Sequence, residues 1–232
     1  RSLARGQGQV RAGLEFVPPA VPPGGRLNMA TLLRLNELPV PAGWLDSALA
    51  EVDAESLEQE DGIYQWVEAV TRDDTARRNR LLERLQLEAD SLLAEAVSVR
   101  DSARARGRQN RVHDALGIEA YLEGRYDQAA AYFERQMPRL SSLDRYLLAR
   151  SYMELGRWKD AESWLRTQYY NDVNLAYYHL GRVYEELGEP AKARQAYEDF
   201  AIAFAEADPE LQPLVEEARM KMAQLGDFPE SE

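Results

Sequence analysis

Histidine is the side chain that most often moves protons or binds metals near neutral pH, and this chain has two, His113 and His179. Cysteine is absent, which excludes thiol nucleophiles, cysteine-bound zinc and disulfides. The sequence also lacks an HExxH motif, a phosphate-binding loop and a glycine-rich dinucleotide motif. Because no activated nucleophile, paired carboxylates or metal cluster stands out, we expect no enzymatic activity, no cofactor and no metal site.

A basic cluster lies near the middle of the chain. Its members are Arg100, Arg104, Arg106, Arg108 and Arg111. Guanidinium groups at this density can dock acidic segments, including the acidic half of another copy of the chain. They can equally be a solvated helix end, where positive charge is favourable to the helix dipole. The residues alone leave both interpretations open.

The charge of the chain is unevenly distributed. Up to Val112 there are 15 basic and 17 acidic residues, and from His113 onward 13 basic and 23 acidic, so the two parts carry -2 and -10 of the formal net charge of -12. An acidic field of this kind repels phosphate backbones. We therefore expect protein or peptide partners of basic or neutral character, and no nucleic acid.

The composition favours helices. Ala, Leu, Glu and Arg dominate after about residue 45, whereas Gly and Pro are sparse there. With 232 residues, of which 45% are apolar, the chain can bury a core in one or two domains. It contains no run of about 18 apolar residues, so we expect no membrane span.

Residues 1–26 are predicted to form an extended, proline-rich arm. Positions 17–25 carry the run VPPAVPPGG, in which paired prolines fix φ and remove amide donors. The arm is either a linker or a docking element that uses Leu14, Phe16 and Val17. The chain begins without a Met or a signal-peptide pattern, from which we expect a processed protein or a fragment. The absence of cysteines fits any compartment, so the location stays open, with an exported or cell-surface location favoured over a cytoplasmic one.

One long helix is predicted at about 74–106, within a helical N-terminal region at 27–109. Asp73 or Asp74 can cap its first turn and Gly107 can end it. Its apolar residues alternate spacings of three and four, which makes a heptad seam of Leu82, Leu85, Ala89, Leu92, Ala96, Val99 and Ala103. This seam must be buried, either against the preceding helices or in a coiled coil or bundle with another subunit.

The chain repeats itself from Leu116 onward with a constant step of 32 residues. Each repeat has an apolar and small pair, then an Ala, then a large apolar residue, and the landmarks are Leu116-Gly117, Ala129 and Phe133; Leu148-Ala149, Ala161 and Leu165; Leu180-Gly181, Ala193 and Tyr197. Gly124, Gly156 and Gly188 mark the turn between two helices. Small residues let antiparallel helices approach where they cross, as we expect for Gly117 against Ala129.

This pattern resembles the tetratricopeptide repeat family, as in LGRVYEELG at 180–188 followed by Ala193 and Tyr197. The resemblance covers about half of the chain, at 110–225. It implies an all-α fold: a right-handed solenoid of three helical hairpins and a capping helix, after the arm and the helical N-terminal region and before a tail at 226–232. The step is shorter than the family's usual value of about 34 residues, and the usual Pro at the end of each hairpin is absent.

In this family the first helix of each hairpin lines a concave groove, so the resemblance implies a protein-binding surface there. Aromatic and arginine side chains suit peptide recognition because they combine contact area with directed hydrogen bonds. The residues placed in the groove are Arg111, Asp114, Tyr121, Tyr146, Arg150, Met153, Tyr178, His179, Arg182 and Glu185. Tyr146 and Tyr178 can instead pack between hairpins, and His179 can be an ordinary surface or interface side chain.

Two hypotheses for function follow. The first is a scaffold or adaptor that holds a segment of a partner protein in the groove. The second is a structural subunit of an oligomer or extracellular filament, in which the arm and the basic cluster make head-to-tail contacts. The last repeat also resembles the ends of repeat regions in bacterial multidomain proteins, which favours a bacterial origin.

Overall fold

A computed structural model describes residues 33–36, 38, 40, 63–168, 175–207 and 211–226. Every regular element within these ranges is a helix, which confirms the all-α class. The predicted arm, with Leu14, Phe16 and Val17, lies outside the described residues, as does the tail beyond residue 226.

Three helices open the continuous part of the structure: α1 (Ile63–Thr71), α2 (Thr75–Ala94) and α3 (Val99–Leu122). Asp74 caps α2, because its side chain accepts a hydrogen bond from the backbone N–H of Arg77 at 2.9 Å. The sequence prediction of an Asp cap at this place is confirmed.

The prediction of one helix over 74–106 is wrong. The helix is interrupted at 95–98, where Ser98 caps α3 by accepting a hydrogen bond from the backbone N–H of Asp101 at 3.2 Å. Gly107 does not end a helix but lies inside α3, where a glycine costs only about 1 kcal/mol relative to alanine. The predicted boundary at 109/110 therefore falls within one continuous helix.

The turn at 95–98 folds α2 back along α3. Arg78, near the start of α2, pairs with Glu119 near the end of α3 at 2.9 Å, and Glu88 pairs with Arg108 at 3.5 Å. These pairs fix the two helices as antiparallel neighbours. Arg108, which the sequence placed in a cluster open to a partner, thus has an acidic partner within its own chain.

The heptad seam is covered by this intramolecular packing. Ala89 is buried, and Leu82 and Leu85 pack against the core. Val99, predicted in the same seam, is 84% exposed, because it lies beyond the turn that interrupts the helix. Of the two interpretations, burial within the chain holds for the part of the seam on α2.

Helical hairpins follow with the predicted period. The pairs are α3 with α4 (Tyr126–Glu134), α5 (Ser142–Glu154) with α6 (Trp158–Leu165), and α7 (Ala176–Glu186) with α8 (Pro190–Ala203). The first helices end at residues 122, 154 and 186 and the second begin at 126, 158 and 190, so each step is 32. A capping helix, α9 (Gln212–Leu225), packs on α8, with Val215 and Ala218 buried.

Each first helix ends in the same left-handed glycine turn. In the first hairpin the N–H of Gly124 donates to the carbonyl of Tyr121 at 3.0 Å, and the N–H of Arg125 donates to the carbonyl of Ala120 at 2.8 Å. These are the two bonds of a Schellman motif, which needs a residue with positive φ. The φ values are 73°, 69° and 70° at Gly124, Gly156 and Gly188.

Small residues open the helix crossings, as predicted, although the contact differs in detail. A Cβ on Gly117 would lie 2.8 Å from Cε1 of Phe133, so the aromatic ring fills the space, and the expected approach to Ala129 is not the closest one. Gly181 faces Tyr197 in the same way. The large apolar residue of each second helix therefore packs on the small residue of the first.

Candidate protein-binding groove

The first helices α3, α5 and α7 carry the residues that the sequence assigned to a groove. Exposure divides them into three groups. Tyr121, Tyr146, Arg150, Met153, Tyr178 and His179 are buried, Asp114 and Glu185 are half-buried, and Arg111 and Arg182 are exposed. This first-helix face is therefore largely covered rather than open.

Part of the cover is a segment from the beginning of the chain. We call Leu33, Arg34, Leu35, Asn36 and Leu38 the docked segment. It forms a helical turn in which the N–H groups of Asn36 and Leu38 donate to the carbonyl of Leu33 at 3.1 and 2.8 Å. Its three leucines are buried in the same continuous core as residues of the first-helix face.

A buried polar contact joins the docked segment to two hairpins. The hydroxyl of Tyr146 donates to the side-chain oxygen of Asn36 at 2.5 Å, and Nε2 of His179 lies 3.0 Å from the same hydroxyl. Because Tyr146 gives its proton to Asn36, it accepts the N–H of His179 at Nε2, which leaves Nδ1 as the unprotonated nitrogen. The first-helix face thus presents an aligned donor to a carboxamide oxygen.

The environment of His179 keeps this arrangement neutral. Burial, and then the nearby charges of Arg150 and Arg182, hold the pKa of His179 well below its usual 6.5. A neutral imidazole carries one N–H, and this N–H donates to the hydroxyl oxygen of Tyr146. His179 is therefore an interface side chain between hairpins, one of the two possibilities that the sequence left open.

Arg34 fastens the docked segment to α1. Its guanidinium donates to Glu68 at 2.8 Å and to the hydroxyl of Thr71 at 2.6 Å. Glu68 is 5% exposed, so the pair is largely shielded from solvent. The segment therefore bridges α1 on one side and the repeats on the other.

Further contacts link the first helices to each other and to the cap. The guanidinium of Arg150 lies over the ring of Tyr121 at 5.8 Å from its centroid. The ring of Tyr178 packs 5.5 Å from that of Phe200, so this tyrosine does pack within the stack. Glu185 accepts a hydrogen bond from Lys221 on α9 at 3.1 Å, which ties the third hairpin to the capping helix.

Two carboxyl groups meet where the first hairpin joins the second. Burial and the charge of Asp144 raise the pKa of Asp114 to about 7, although Gln136 and Arg111 act in the opposite direction. Asp144 also has a raised pKa, mainly through burial, while it caps α5 in a reciprocal box with Ser141. One of the two acids is therefore held protonated near neutral pH.

Two models of the tetratricopeptide repeat family match the chain, one over residues 145–167 and the other over residues 175–206. These ranges coincide with the second and third hairpins. The second and third hairpins are therefore tetratricopeptide repeats. The first hairpin lies outside both matched ranges, although its helix boundaries and glycine turn follow the same period. Neither the search of curated proteins nor the search of solved structures gave a match.

The other predicted contact residues lie on the first half of α3, before Arg111 and Asp114 on the same helix. Arg100, Arg104 and Arg106 are exposed along the first half of α3. At the adjacent turn, Val97 is 95% exposed. In the part of the chain that the structure describes, no group of three or more acidic or histidine side chains is arranged to hold a metal ion, and no helix is long and apolar enough to cross a bilayer.

The sequence did not predict the docked segment as part of the site. The apolar residues Met29, Leu32, Leu33 and Leu35 predict a short helix over 27–38, ended by Pro39 and Pro41, but that pattern does not predict where the helix docks. Asn36 and Tyr146 are 110 positions apart. The leucines that precede Pro39 were the one local signal, because a short apolar helix ended by a proline must bury its leucines on another element.

Proposed function

We propose that the chain is a non-enzymatic scaffold that binds a segment of a partner protein on the first-helix face of its repeats. Tetratricopeptide repeats are protein-interaction modules and are typically not catalytic. The observation that carries the proposal is that this face already receives a short segment through buried leucines and the Asn36–Tyr146 hydrogen bond. The partner makes equivalent contacts.

The charges on the same helices favour a particular partner. The repeat half carries most of the negative charge, so a basic or neutral segment is attracted and nucleic acid is repelled. Arg111 and Arg182 are exposed on the first helices and supply donors for carboxylates or carbonyls of the partner. An exported or cell-surface location belongs to the same proposal, and cell fractionation tests it.

A matched pair of variants tests the proposal. Arg111→Glu with Arg182→Glu reverses two exposed charges on the first-helix face, while Arg104→Glu with Arg106→Glu makes the same change in net charge on the α2–α3 hairpin. We expect crosslinking mass spectrometry to recover the same partners with wild type and with the Arg104 and Arg106 variant, and to lose them with the first. Circular dichroism checks that all three chains are equally helical. If all three chains recover the same partners equally well, the binding surface is not the first-helix face.

A second candidate function is self-assembly, and the tip of the α2–α3 hairpin favours it. Leu93, Val97 and Val99 are 56%, 95% and 84% exposed there, beside Arg100 and Arg104. Exposed apolar residues rimmed by charge are typical of contact surfaces. Light scattering over a range of protein concentrations separates the candidates: a scaffold stays monomeric, whereas a subunit forms assemblies that Val97→Asp weakens.

A further inference from the structure

The docked segment is held at its centre by recognition of a side-chain amide. Asn36 is 5% exposed and Tyr146 is 2% exposed, so their hydrogen bond is made away from water. A site with a buried donor discriminates strongly against side chains that leave this donor unpaired. The leucines supply apolar contact, while the amide fixes which residue stands between them.

The receiving side is built from two hairpins. Tyr146 comes from α5 and His179 from α7, and their rings lie 5.9 Å apart. Burial, together with the charges of Arg150 and Arg182, keeps His179 neutral, and while Tyr146 donates to the amide oxygen of Asn36 the imidazole donates its Nε2–H to the tyrosine oxygen. Both side chains of the site thus come from the repeats, while the direction of the two hydrogen bonds follows from the acceptor oxygen of the occupant.

We propose that Tyr146 and His179 form a carboxamide-reading site for a leucine-flanked helical turn of a partner protein, and that the docked segment is the chain's own copy of that ligand. The pattern that the site reads is Leu-x-Leu-Asn-x-Leu, as at 33–38. This inference rests on the proposed scaffold function and names the chemistry of its partner.

Tethering explains how one site serves both occupants. A segment in the same chain is present at an effective concentration of about millimolar, so it outcompetes a dilute external segment of equal intrinsic affinity. A partner gains the site when its own contacts are stronger or when the internal copy is weakened. The resting chain is therefore protected and binds weakly, and release of the docked segment raises its affinity.

The first experiment weakens the internal copy in the full-length chain. Asn36→Ala removes the amide oxygen that accepts from Tyr146, and Leu38→Ala, which trims a leucine near the edge of the segment, is a second and independent variant. The probe is a fluorescent peptide of residues 30–40, ATLLRLNELPV. We expect anisotropy titrations to show at least about tenfold tighter peptide binding to either variant than to wild type. Circular dichroism confirms that each chain is folded.

The second experiment tests the amide itself through a double-mutant cycle. Tyr146→Phe, made in the Asn36→Ala chain, removes only the hydroxyl. We expect it to weaken the peptide with Asn by about tenfold and to leave a peptide with Ala in place of that Asn unchanged, since the lost hydrogen bond involves both groups. Arg104→Glu in the same chain is the control and leaves both peptides unaffected.

The outcomes are distinct. Equally weak binding to wild type and to both folded variants would overturn the inference, because the docked segment would then be a fixed part of the core. Binding that ignores the peptide Asn would also overturn it, while leaving the scaffold function in place. A doubling of mass in the Asn36→Ala chain without peptide would assign the site to a second copy rather than to a partner. Loss of partners in the Arg111 and Arg182 variant is a separate measurement, so failure of the proposed function is recognised independently.

Discussion

Gly181 lies where α7 crosses α8, and its missing side chain makes room for the ring of Tyr197. A Cβ at this position would lie 2.6 Å from Cδ1 of that ring, well inside contact distance. Tyr197 cannot move aside easily, because it is fully buried and its hydroxyl donates to Glu185 at 2.7 Å. We expect Gly181→Ala to lower the free energy of unfolding by about 1–3 kcal/mol, measured by urea denaturation.

Gly107 provides the control, since it is also inside a helix but a Cβ there would have no packing neighbour within 4 Å. Gly107→Ala should raise the free energy of unfolding by about 0.5–1 kcal/mol, because alanine loses less backbone entropy in a helix. Opposite signs for the two substitutions are the expected result. Destabilisation by both would show that helix crossings are not what limits side-chain size in α7.

Asp114 makes stability depend on pH. Its folded pKa is raised to about 7 beside Asp144, from 3.8 as a free side chain. The folded chain therefore binds a proton that the unfolded chain has lost, and the stabilisation is complete below about pH 4 and disappears as pH rises through 7. Asp114→Asn should remove this dependence, so its unfolding midpoint should lose less between pH 5 and pH 8 than that of wild type.

Histidine titration runs in the opposite direction over the same range. The lowered pKa of His179 favours the folded chain as pH rises through about 6.5, and Asp114→Asn leaves that contribution in place. The comparison of variant with wild type therefore isolates the carboxyl pair. An identical pH profile for both chains would contradict the assignment of the shared proton to Asp114.

At the scale of elements, the turn at 95–98 is the place where sequence and structure part. An unbroken heptad pattern predicts one helix, and the seam does continue across the turn in the sequence. The helix is interrupted because the Ser98 hydroxyl caps the N-terminus of α3, and because ion pairs between α2 and α3 stabilise their antiparallel packing. The periodicity of apolar residues does not show whether a cap and distant ion pairs stabilise the chain more than one further helical turn does.

The cap gives an element-scale prediction. Ser98→Ala removes the side chain that accepts the Asp101 N–H, so we expect a loss of about 1 kcal/mol in the free energy of unfolding by urea denaturation. Ser91→Ala, at an exposed position inside α2, is the matched control and should change it by less than about 0.5 kcal/mol. An equal effect of both would mean that Ser98 does not define the start of α3.

The repeats, in contrast, could be predicted almost completely. Their landmarks recur at a fixed step because each hairpin solves the same packing problem, a small residue at the crossing and a glycine in the turn. The step of 32 sets the ends of α3, α5 and α7 and the starts of α4, α6 and α8. Because these constraints are local, the same residue types recur in the sequence at each hairpin.

At the scale of the whole molecule, the candidate groove residues could be assigned to the first helices, but their burial could not be predicted. The repeat pattern and the family resemblance placed Tyr146 and His179 on first helices, and the structure has them there. Their burial depends on Asn36, which contacts Tyr146 from a distance of 110 positions, and no periodic signal connects the two. Contacts between a short segment and a solenoid come from complementarity of shape and polarity, which a single sequence does not reveal.

The docked segment also makes a prediction for the stability of the whole chain. Leu35 is fully buried, and it shares one continuous core with Trp66 and Val67 of α1 and with Leu147 of α5. Truncation to alanine leaves a cavity in that core, so we expect Leu35→Ala to lower the free energy of unfolding by about 2–5 kcal/mol.

Because the core is continuous, the loss should reach the repeats. Hydrogen exchange should speed up in the amides of α5 and α7, more than a hundred positions from the substitution, and added peptide of residues 30–40 should restore their protection by binding the folded state. Leu87→Ala is the control. Leu87 is 62% exposed, so its truncation should leave hydrogen exchange in α5 and α7 unchanged. If Leu35→Ala alters hydrogen exchange only around the docked segment and α1, the repeats are stable without an occupant. In that case the contacts of the covered face do not couple the stability of the docked segment to that of the repeats.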